Sequence, residues 1–455
     1  MRFVVIGAGN VGVSLTEKLA VNQHDVVLID DNEEKLNAVV SSMDCQGVLG
    51  NGCSPEVLSR ARIHEADYVV AVTNNDAVNI AACVSAKLLH PSAKRIVRIR
   101  ELEFNFPGVN KDKLNDYFDL IINPSQAGAE YLLRMFKVPG AKEVVEFADG
   151  KVRVIGVSVS PRSPLLGRKL QALGEYREKY PLLIIAILRG SRLIIPRGTD
   201  KLRVGDIMYL VTPPEHTNVI FELAGKELHQ GRSAMIWCGG SLGRRLAHSL
   251  EEMGTEVKLI VSDTDDAEAL ADEFQSALVL QGEGTDHNLL LEENVQDFDA
   301  FISVTPDEED NVLAALLAKR LGAKSSMALV NKISYIPLVA AIGVDVVVSS
   351  LTAAASQIFK HIHSGSIVSE FSLRHRGAGF LELIADEKSE FLNVPIKTLH
   401  IPEGILICAI LRGDSVIIPR GDDTIKIDDR VVVFVARTAI KKVEKALGMK
   451  VEFVR

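Results

Sequence analysis

Short apolar runs alternate with helical periodicity through the first 135 residues. Phe3–Ile6, Val26–Ile29, Gly47–Leu49, Tyr68–Val72, Ile96–Ile99 and Leu120–Ile122 each read as a buried strand. Helical patterns such as Glu33–Ser41 and Asp76–Leu89 fill the gaps between them. Alternation of this kind predicts a parallel sheet wound with right-handed crossovers. From about residue 140 the texture changes. Val152–Val159, Leu182–Leu188, Leu193–Ile195 and Ile207–Val211 are β-rich runs, with turn signals at Arg189–Ser191 and Val204–Asp206 between them. A helix over Glu215–Gly225 closes what reads as a small α+β domain.

The pattern then starts again. Met235–Gly243 lines up on Val4–Gly12, and Gly282–Asp286 on Gly50–Ser54. Phe301–Thr305 matches Val69–Thr73, with Asn311 opposite Asn79. The β-rich halves repeat more plainly still: Ala186–Gly190 and Ile194–Gly198 recur as Ala409–Gly413 and Ile417–Gly421. A repeat this long means one two-domain module carried twice. The expected fold class is therefore α/β, with two Rossmann-like, doubly wound parallel-sheet domains, each followed by a small α+β domain. The boundaries read as 1–135, 140–226, 232–365 and 366–455, with 225–233 as linker. An enzyme that joins one nucleotide domain to one substrate domain does not have this layout.

The first strand runs straight into Gly7-x-Gly9-x-x-Gly12, spanning Gly7, Ala8, Gly9, Asn10, Val11 and Gly12. A helix follows, then a second strand ending on Asp30 and Asp31. Each part has a task in gripping a dinucleotide. Gly7 allows the tight turn, Gly9 lets a pyrophosphate reach the backbone, and Gly12 lets helix and strand close on each other. The helix N-terminus offers unpaired N–H groups to phosphate. Asp30, 18 residues after Gly12, is placed to accept hydrogen bonds from a ribose diol. In an open α/β sheet the ligand sits beyond the C-terminal strand ends. Those ends also carry Gly50, Asn51, Gly52, Thr73, Asn74 and Arg98. The second acid, and the lack of a basic residue beside Asp30, favour NAD(H) or an adenine nucleotide over a 2′-phosphorylated one. Arg98 closes an apolar strand and reads as a phosphate contact. Thr73 and Asn74 are consistent with capping the next helix as well as lining the crevice.

The second copy keeps Gly240, Ser241, Leu242, Gly243 and Thr305 as candidate binding residues. It departs at three points: Cys238 replaces the first glycine, Val261 the acid, and Ala328 stands where alignment puts Arg98. Asp263 is a candidate replacement for the acid, against the simpler reading of a strand-end loop residue. The second site is thus short of its ribose and arginine handles.

Composition narrows the classes further. At 455 residues the length alone suggests about three domains. A net charge of −9 argues against nucleic acid or an anionic membrane surface as main partner. The cysteines Cys45, Cys53, Cys83, Cys238 and Cys408 have neither zinc nor redox-motif spacing, which suits a reducing compartment. The first strand begins directly after Arg2, so no signal peptide is expected. The longest apolar stretch, Ile336–Val348, is too short to span a bilayer and contains Asp345, so a soluble chain is expected. His361 and His363 point to opposed helix faces, which argues against a metal pair. Asp307–Asp310 reads as an acid-rich first helical turn rather than a calcium loop. No hydrolase, zinc-protease or P-loop motif occurs, and no metal site is expected.

Val5–Gly12, Leu28–Asp31, Gly50–Gly52, Val97–Ile99 and the two Ile-Leu-Arg-Gly…Ile-Ile-Pro-Arg-Gly blocks together resemble the RCK family, regulators of potassium conductance built from TrkA-N plus TrkA-C domains. In its tandem form the chain resembles the cytosolic regulatory subunits of bacterial Trk potassium-uptake systems, over essentially its whole length. The resemblance implies a non-enzymatic sensor of NAD(H), with ATP or ADP as further ligands. It also implies a ring, expected to be a tetramer, at the inner face of the cell membrane. The partner there would be a potassium-transporting subunit of the TrkH/TrkG type. The adenosine ribose would lie on Asp30, with phosphates by the glycines and Arg98. An NAD-dependent dehydrogenase is the alternative that the first glycine turn alone suggests.

Overall fold

The computed structural model describes the chain except for residues 101–113, 191, 229–230, 363–366, 373–377, 386, 388–390, 437–438 and 440–455. It falls into two compact units, one of residues 1–128 with 349–362, the other of residues 129–348 with 363–455.

The first unit holds a six-stranded sheet in the order β3-β2-β1-β4-β5-β6. Its strands are β1 (Arg2–Ile6), β2 (Asp25–Asp30), β3 (Gln46–Leu49), β4 (Tyr68–Ala71), β5 (Lys94–Arg98) and β6 (Leu120–Ile122). All neighbours pair in parallel. The strand order reverses between β1 and β4, which opens a crevice above their C-terminal ends. Helices α1 (Asn10–Val21), α2 (Glu33–Val40), α3 (Pro55–Arg60) and α4 (Asp76–Leu89) connect the strands. Val4, Ile6, Val27, Ile29, Val69, Ala71 and Val97 pack with Leu58, Ala82 and Cys83 in one core. Burial on both faces is why these strands read as unbroken apolar runs rather than alternating ones.

In the second unit β12 (Ser233–Cys238), β13 (Glu256–Val261), β14 (Leu278–Gln281), β15 (Ala300–Val304), β16 (Ser326–Leu329) and β17 (Val346–Val348) repeat this layout, in the order β14-β13-β12-β15-β16-β17. The unit also contains two five-stranded sheets, antiparallel throughout: β7 (Ala141–Phe147), β8 (Val152–Ser158), β9 (Leu183–Arg189), β10 (Arg192–Ile194) and β11 (Ile207–Thr212) in the order β10-β9-β11-β8-β7, and β18 (Ile367–Ser372), β19 (Ala378–Ile384), β20 (Ile405–Arg412), β21 (Ser415–Ile417) and β22 (Arg430–Ala436) in the order β18-β19-β22-β20-β21. One apolar cluster joins these two sheets, with Phe147 of β7 5.9 Å from Phe380 of β19, and Phe380 5.2 Å from Phe434 of β22. Arg430 reaches across to Asp149 at 2.6 Å. Strand β7 (Ala141–Phe147) was not expected from the sequence. Among the described residues it pairs only with β8, at the sheet edge, and two glutamates and a lysine interrupt its apolar pattern.

The units do not follow the 1–135 and 232–365 divisions expected from the repeat. Helix Ser350–Ile362, which follows the second parallel sheet in the chain, belongs to the first unit and packs on α1 and β6. The Tyr68 hydroxyl donates to the Ile362 carbonyl at 3.3 Å. Helix Pro124–Phe136, which follows the first sheet, runs into the second unit, where Leu132, Met135 and Phe136 are almost wholly buried in the core that contains Ile236 and Ile302. Each parallel sheet is thus succeeded by a helix whose buried face lies in the other unit. Apolar spacing fixes that a helix has a face to bury, not which sheet receives it.

Candidate functional site

The glycine turn has the geometry that its residues require. Gly7 sits at φ +107°, where a side chain would strain the backbone and press on Thr73 at 2.9 Å. A Cβ on Gly12 would lie 1.8 Å from the Gly7 carbonyl oxygen, so helix and strand meet as closely as backbone permits. Gly9 leads into α1 without any side-chain cap. In contrast, Asn32 caps α2 and Asn75 caps α4 through their side-chain oxygens. The first-turn N–H groups of Asn10, Val11 and Gly12 are therefore available to an anion. Val11 itself turns inward, 2 % exposed.

Asp30 ends β2 beside this turn. Its Oδ2 accepts the Ala8 N–H at 2.5 Å and its Oδ1 the Asn32 N–H at 2.9 Å. The carboxylate thus braces the glycine turn against the start of α2 and keeps further lone pairs for acceptance. Asp31 is exposed. At the next strand end the Gly50 N–H donates to the Asp30 carbonyl at 2.9 Å, and the Asn51 side chain accepts the Cys53 N–H. A Cβ on Gly52 would meet Ile6 at 2.2 Å. The structure therefore brings Gly7–Gly12, Asp30, Gly50–Gly52, Thr73, Asn74 and Arg98 to one sheet edge.

Thr73 and Asn74 do not cap the following helix; Asn75 does. Thr73 is instead tied through its N–H and hydroxyl to the side-chain oxygen of Asn79, a residue the sequence reading did not place at the site. Arg98 is 9 % exposed. Its Nη1 donates to the Thr73 carbonyl and Asn74 Oδ1 at 3.4 and 3.3 Å, and its Nε is buried without a hydrogen-bond partner. Burial, then the neighbouring Arg100 guanidinium, push its pKa down to about 10. Arg100 donates to the Asn74 carbonyl, and its backbone N–H donates to Asp76 at 2.7 Å. A buried cation with an idle donor, beside an uncapped helix, fits a phosphate-bearing ligand.

The second crevice is built on the same strand ends and filled differently. Strand β12 runs one residue further than β1, so Cys238 pairs with Val304 where Gly7 turns away. No residue from Cys238 to Gly243 takes a left-handed φ. A Cβ on Gly243 would meet the Cys238 Cβ at 2.1 Å. Gly240 precedes an uncapped helix, Ser241–Glu252, with Leu242 buried. Val261 closes β13 (Glu256–Val261) with an apolar side chain where Asp30 stands in the first sheet. Asp263 is the N-cap of the next helix, accepting the Asp266 N–H, and so corresponds to Asn32 rather than to the lost acid. Trp237, one residue before Cys238, is buried, and its Nε1 donates to Ser262, which donates to Glu283 at 2.9 Å. This chain lies across the strand ends where the first sheet presents Asp30 and Gly50–Gly52. Thr305 is held by Asn311 as Thr73 is by Asn79.

The strand ladders revise the match to Arg98. Val97 pairs with Ala71, and Ala328 pairs with Ser303. Ala328 therefore corresponds to Val97, and Leu329, 8 % exposed, takes the place of Arg98. Asn79 bonds the Arg98 carbonyl and Asn311 the Leu329 carbonyl, which fixes the same register independently.

The remaining candidates resolve simply. Asp307 caps the helix Glu308–Arg320 through the Asp310 N–H, as an acid-rich first turn should. Burial raises the Cys83 and Cys238 thiols to about 12, which makes them poor nucleophiles. Among the described residues no group of three acids, histidines or cysteines could hold a metal, and no helix is long and apolar enough to cross a membrane. His363 lies outside the described residues.

Similarity to known proteins agrees with this geometry. The TrkA-N domain family matches residues 3–124 and 234–350, and the TrkA-C domain family matches residues 154–225 and 380–448. The chain is 32 % identical to a Trk system potassium uptake protein TrkA of Azorhizobium caulinodans, and 33 % identical to that of Haemophilus influenzae, in each case over 100 % of both chains. Those names describe a transport-system component, not a catalysed reaction. A solved GsuK channel bound to NAD shares the fold at a TM-score of 0.60 and 17 % identity, covering 98 % of this chain and 79 % of that one. Tandem TrkA-N and TrkA-C domains, matched end to end by curated relatives, place this chain in the TrkA family of Trk-system potassium uptake proteins.

Proposed function

We propose that the chain is a nucleotide-sensing regulatory subunit of a membrane potassium-uptake system, and that its ligand, NAD(H) or an adenine nucleotide such as ATP or ADP, is taken up by the first crevice. The observation that carries this reading is the pairing of an uncapped α1 and its glycine turn with the buried, incompletely bonded Arg98 guanidinium. Asp30 completes the site on the ribose side. The second crevice, with Val261 and Leu329 in place of the acid and the arginine, serves as a structural partner, so each chain takes up one nucleotide.

The partner is a potassium-transporting membrane subunit of the TrkH/TrkG type, met at the cytosolic face by a ring of these chains, expected to be a tetramer. The relatives' names and the channel architecture of the GsuK neighbour support that reading. A nucleotide biases such an assembly only by its difference in affinity between two shapes; about 1.4 kcal/mol gives a tenfold shift. No hydride transfer is assigned. Isothermal titration of the full chain with NADH, NAD, ATP and ADP tests the proposal. One site per chain, abolished by Arg98→Ala, is the expected result. Absence of binding by all four, or NADH formation from NAD and 2-hydroxy acids at about 1 s⁻¹ or faster, would overturn it.

A further inference from the structure

We infer that Asn79, a residue of α4 with no exposed surface, is a positioning residue for nucleotide binding, acting through Arg98. The inference rests on the first crevice holding the nucleotide phosphates, and adds a residue that no ligand atom would touch.

The Asn79 amide uses its full bonding capacity. Its Oδ1 accepts the Thr73 N–H at 2.8 Å and the Thr73 hydroxyl at 2.7 Å. Its Nδ2 donates to the Thr73 carbonyl at 3.1 Å and to the Arg98 carbonyl at 3.0 Å. Two acceptor sites and two donors are all that a primary amide has. The position of these bonds matters more than their number. The β4–β5 ladder ends at Ala71 and Val97, and Arg98 itself pairs on the far side, with Ile122 of β6. Beyond that last rung, Asn79 ties the end of β4 to the backbone of Arg98. The guanidinium adds only two long contacts to the same loop, at 3.3 and 3.4 Å. An arginine that keeps its Nε unbonded and its charge buried must be aimed by its backbone. The Asn79 staple is what fixes that backbone relative to the glycine turn.

The second half provides an internal control. Asn311 makes the same four bonds, to the Thr305 N–H, hydroxyl and carbonyl at 2.9 Å and to the Leu329 carbonyl at 3.2 Å. There the staple holds an apolar side chain. The two asparagines thus have equal structural duties, and only Asn79 has a charged group to aim.

The experiment measures affinity for ADP and for adenosine, which lacks phosphates, on the full chain carrying Asn79→Ala, Arg98→Ala, both together, or Asn311→Ala. Arg98→Ala is expected to weaken ADP by about tenfold or more while moving adenosine less than about twofold. Asn79→Ala should reproduce about half of that loss on a logarithmic scale, again selective for ADP, and add nothing in the Arg98→Ala background. Asn311→Ala should lower thermal stability comparably and leave both affinities unchanged. Should the alanine variant not fold, Asn79→Ser, too short to reach the Arg98 carbonyl, takes its place. Equal weakening of ADP and adenosine, full additivity with Arg98→Ala, or no selective loss would overturn the role of Asn79 while leaving the site intact. Failure of the wild-type chain to bind ADP, or indifference of ADP binding to Arg98→Ala, would instead remove the phosphate site and this inference with it.

Discussion

The two crevices of this chain share strand order, strand-end carbonyls, the asparagine staple and an uncapped helix, and differ in the groups that a nucleotide would need. In the first, Gly7 turns the backbone, Asp30 braces the turn, and Arg98 holds an unspent donor in a buried setting. In the second, Cys238 extends the strand, Val261 and Leu329 are apolar, and Trp237 lies across the strand ends. Fold and site are therefore separable here. The staple and the ladders keep the sheet in shape in both copies, while the side chains at the strand ends differ in charge and polarity.

The largest expected effect comes from touching the closest approach in the first crevice. Gly12→Ala places a methyl group against the Gly7 carbonyl, so the turn must move, and NADH affinity measured by calorimetry should fall by about 100-fold or more. Gly240→Ala, which meets nothing within 4 Å, should leave that affinity unchanged. Next comes the acid. Asp30→Ala removes the brace on Ala8 and Asn32 and the ribose acceptor, and should cost about 1–3 kcal/mol of NADH binding. Val261→Ala at the matching position should alter stability and not NADH affinity. Loss of affinity there would show that the second crevice takes part after all.

The antiparallel sheets allow a finer comparison, because they repeat an ion pair whose carboxylate is buried and whose arginine is partly exposed. Arg189 bonds Asp206 through Nε and Nη2 at 2.9 and 2.8 Å, and Arg412 bonds Asp429 at 2.9 and 2.7 Å. Burial alone would raise the Asp206 pKa, but the Arg189 hydrogen bonds and charge outweigh it and hold the carboxyl below its ordinary value. A depressed carboxyl stabilises the fold above its unfolded pKa of about 3.9 and loses that contribution as pH falls through the folded value. Asp206→Asn should therefore cost about 1–3 kcal/mol at neutral pH in denaturant melts, with the difference from wild type shrinking below about pH 4. The smallest effect belongs to Cys238→Gly. Restoring the turn glycine without the acid or the arginine should leave the titration at one nucleotide per chain, and a second site appearing would mean that the turn alone decides binding.

Much of this was legible in the order of residues. Apolar runs such as Val26–Ile29 marked the buried strands because both their faces are covered, and the changed glycine turn at Cys238 marked where the two copies differ. Other features were not legible, for identifiable reasons. That the counterpart of Arg98 in the second copy is Leu329 rather than Ala328 was hidden, because both are apolar and only the ladder and the Asn311 bond to the Leu329 carbonyl distinguish them. Asn75 rather than Thr73 caps α4 because three successive polar residues offered equivalent caps. Asn79 stood out only as a repeat position, opposite Asn311: a buried amide inside a helix looks like an ordinary polar position until its four bonds are seen. The location of helix Ser350–Ile362 was equally hidden, since its amphipathic spacing suits either sheet.

That last helix has a consequence for the order in which the chain can fold. The first sheet is complete once β6 has been made, but the helix that covers α1 and β6 ends only at Ile362. At about 5–20 residues/s of synthesis, the face waits on the order of 10–50 s for its cover. The newborn first unit is thus an unfinished object for about half of translation, matured by a helix that is made only after the second parallel sheet. Ribosome-bound chains halted before residue 350 should expose it to protease, and chains released after residue 362 should not.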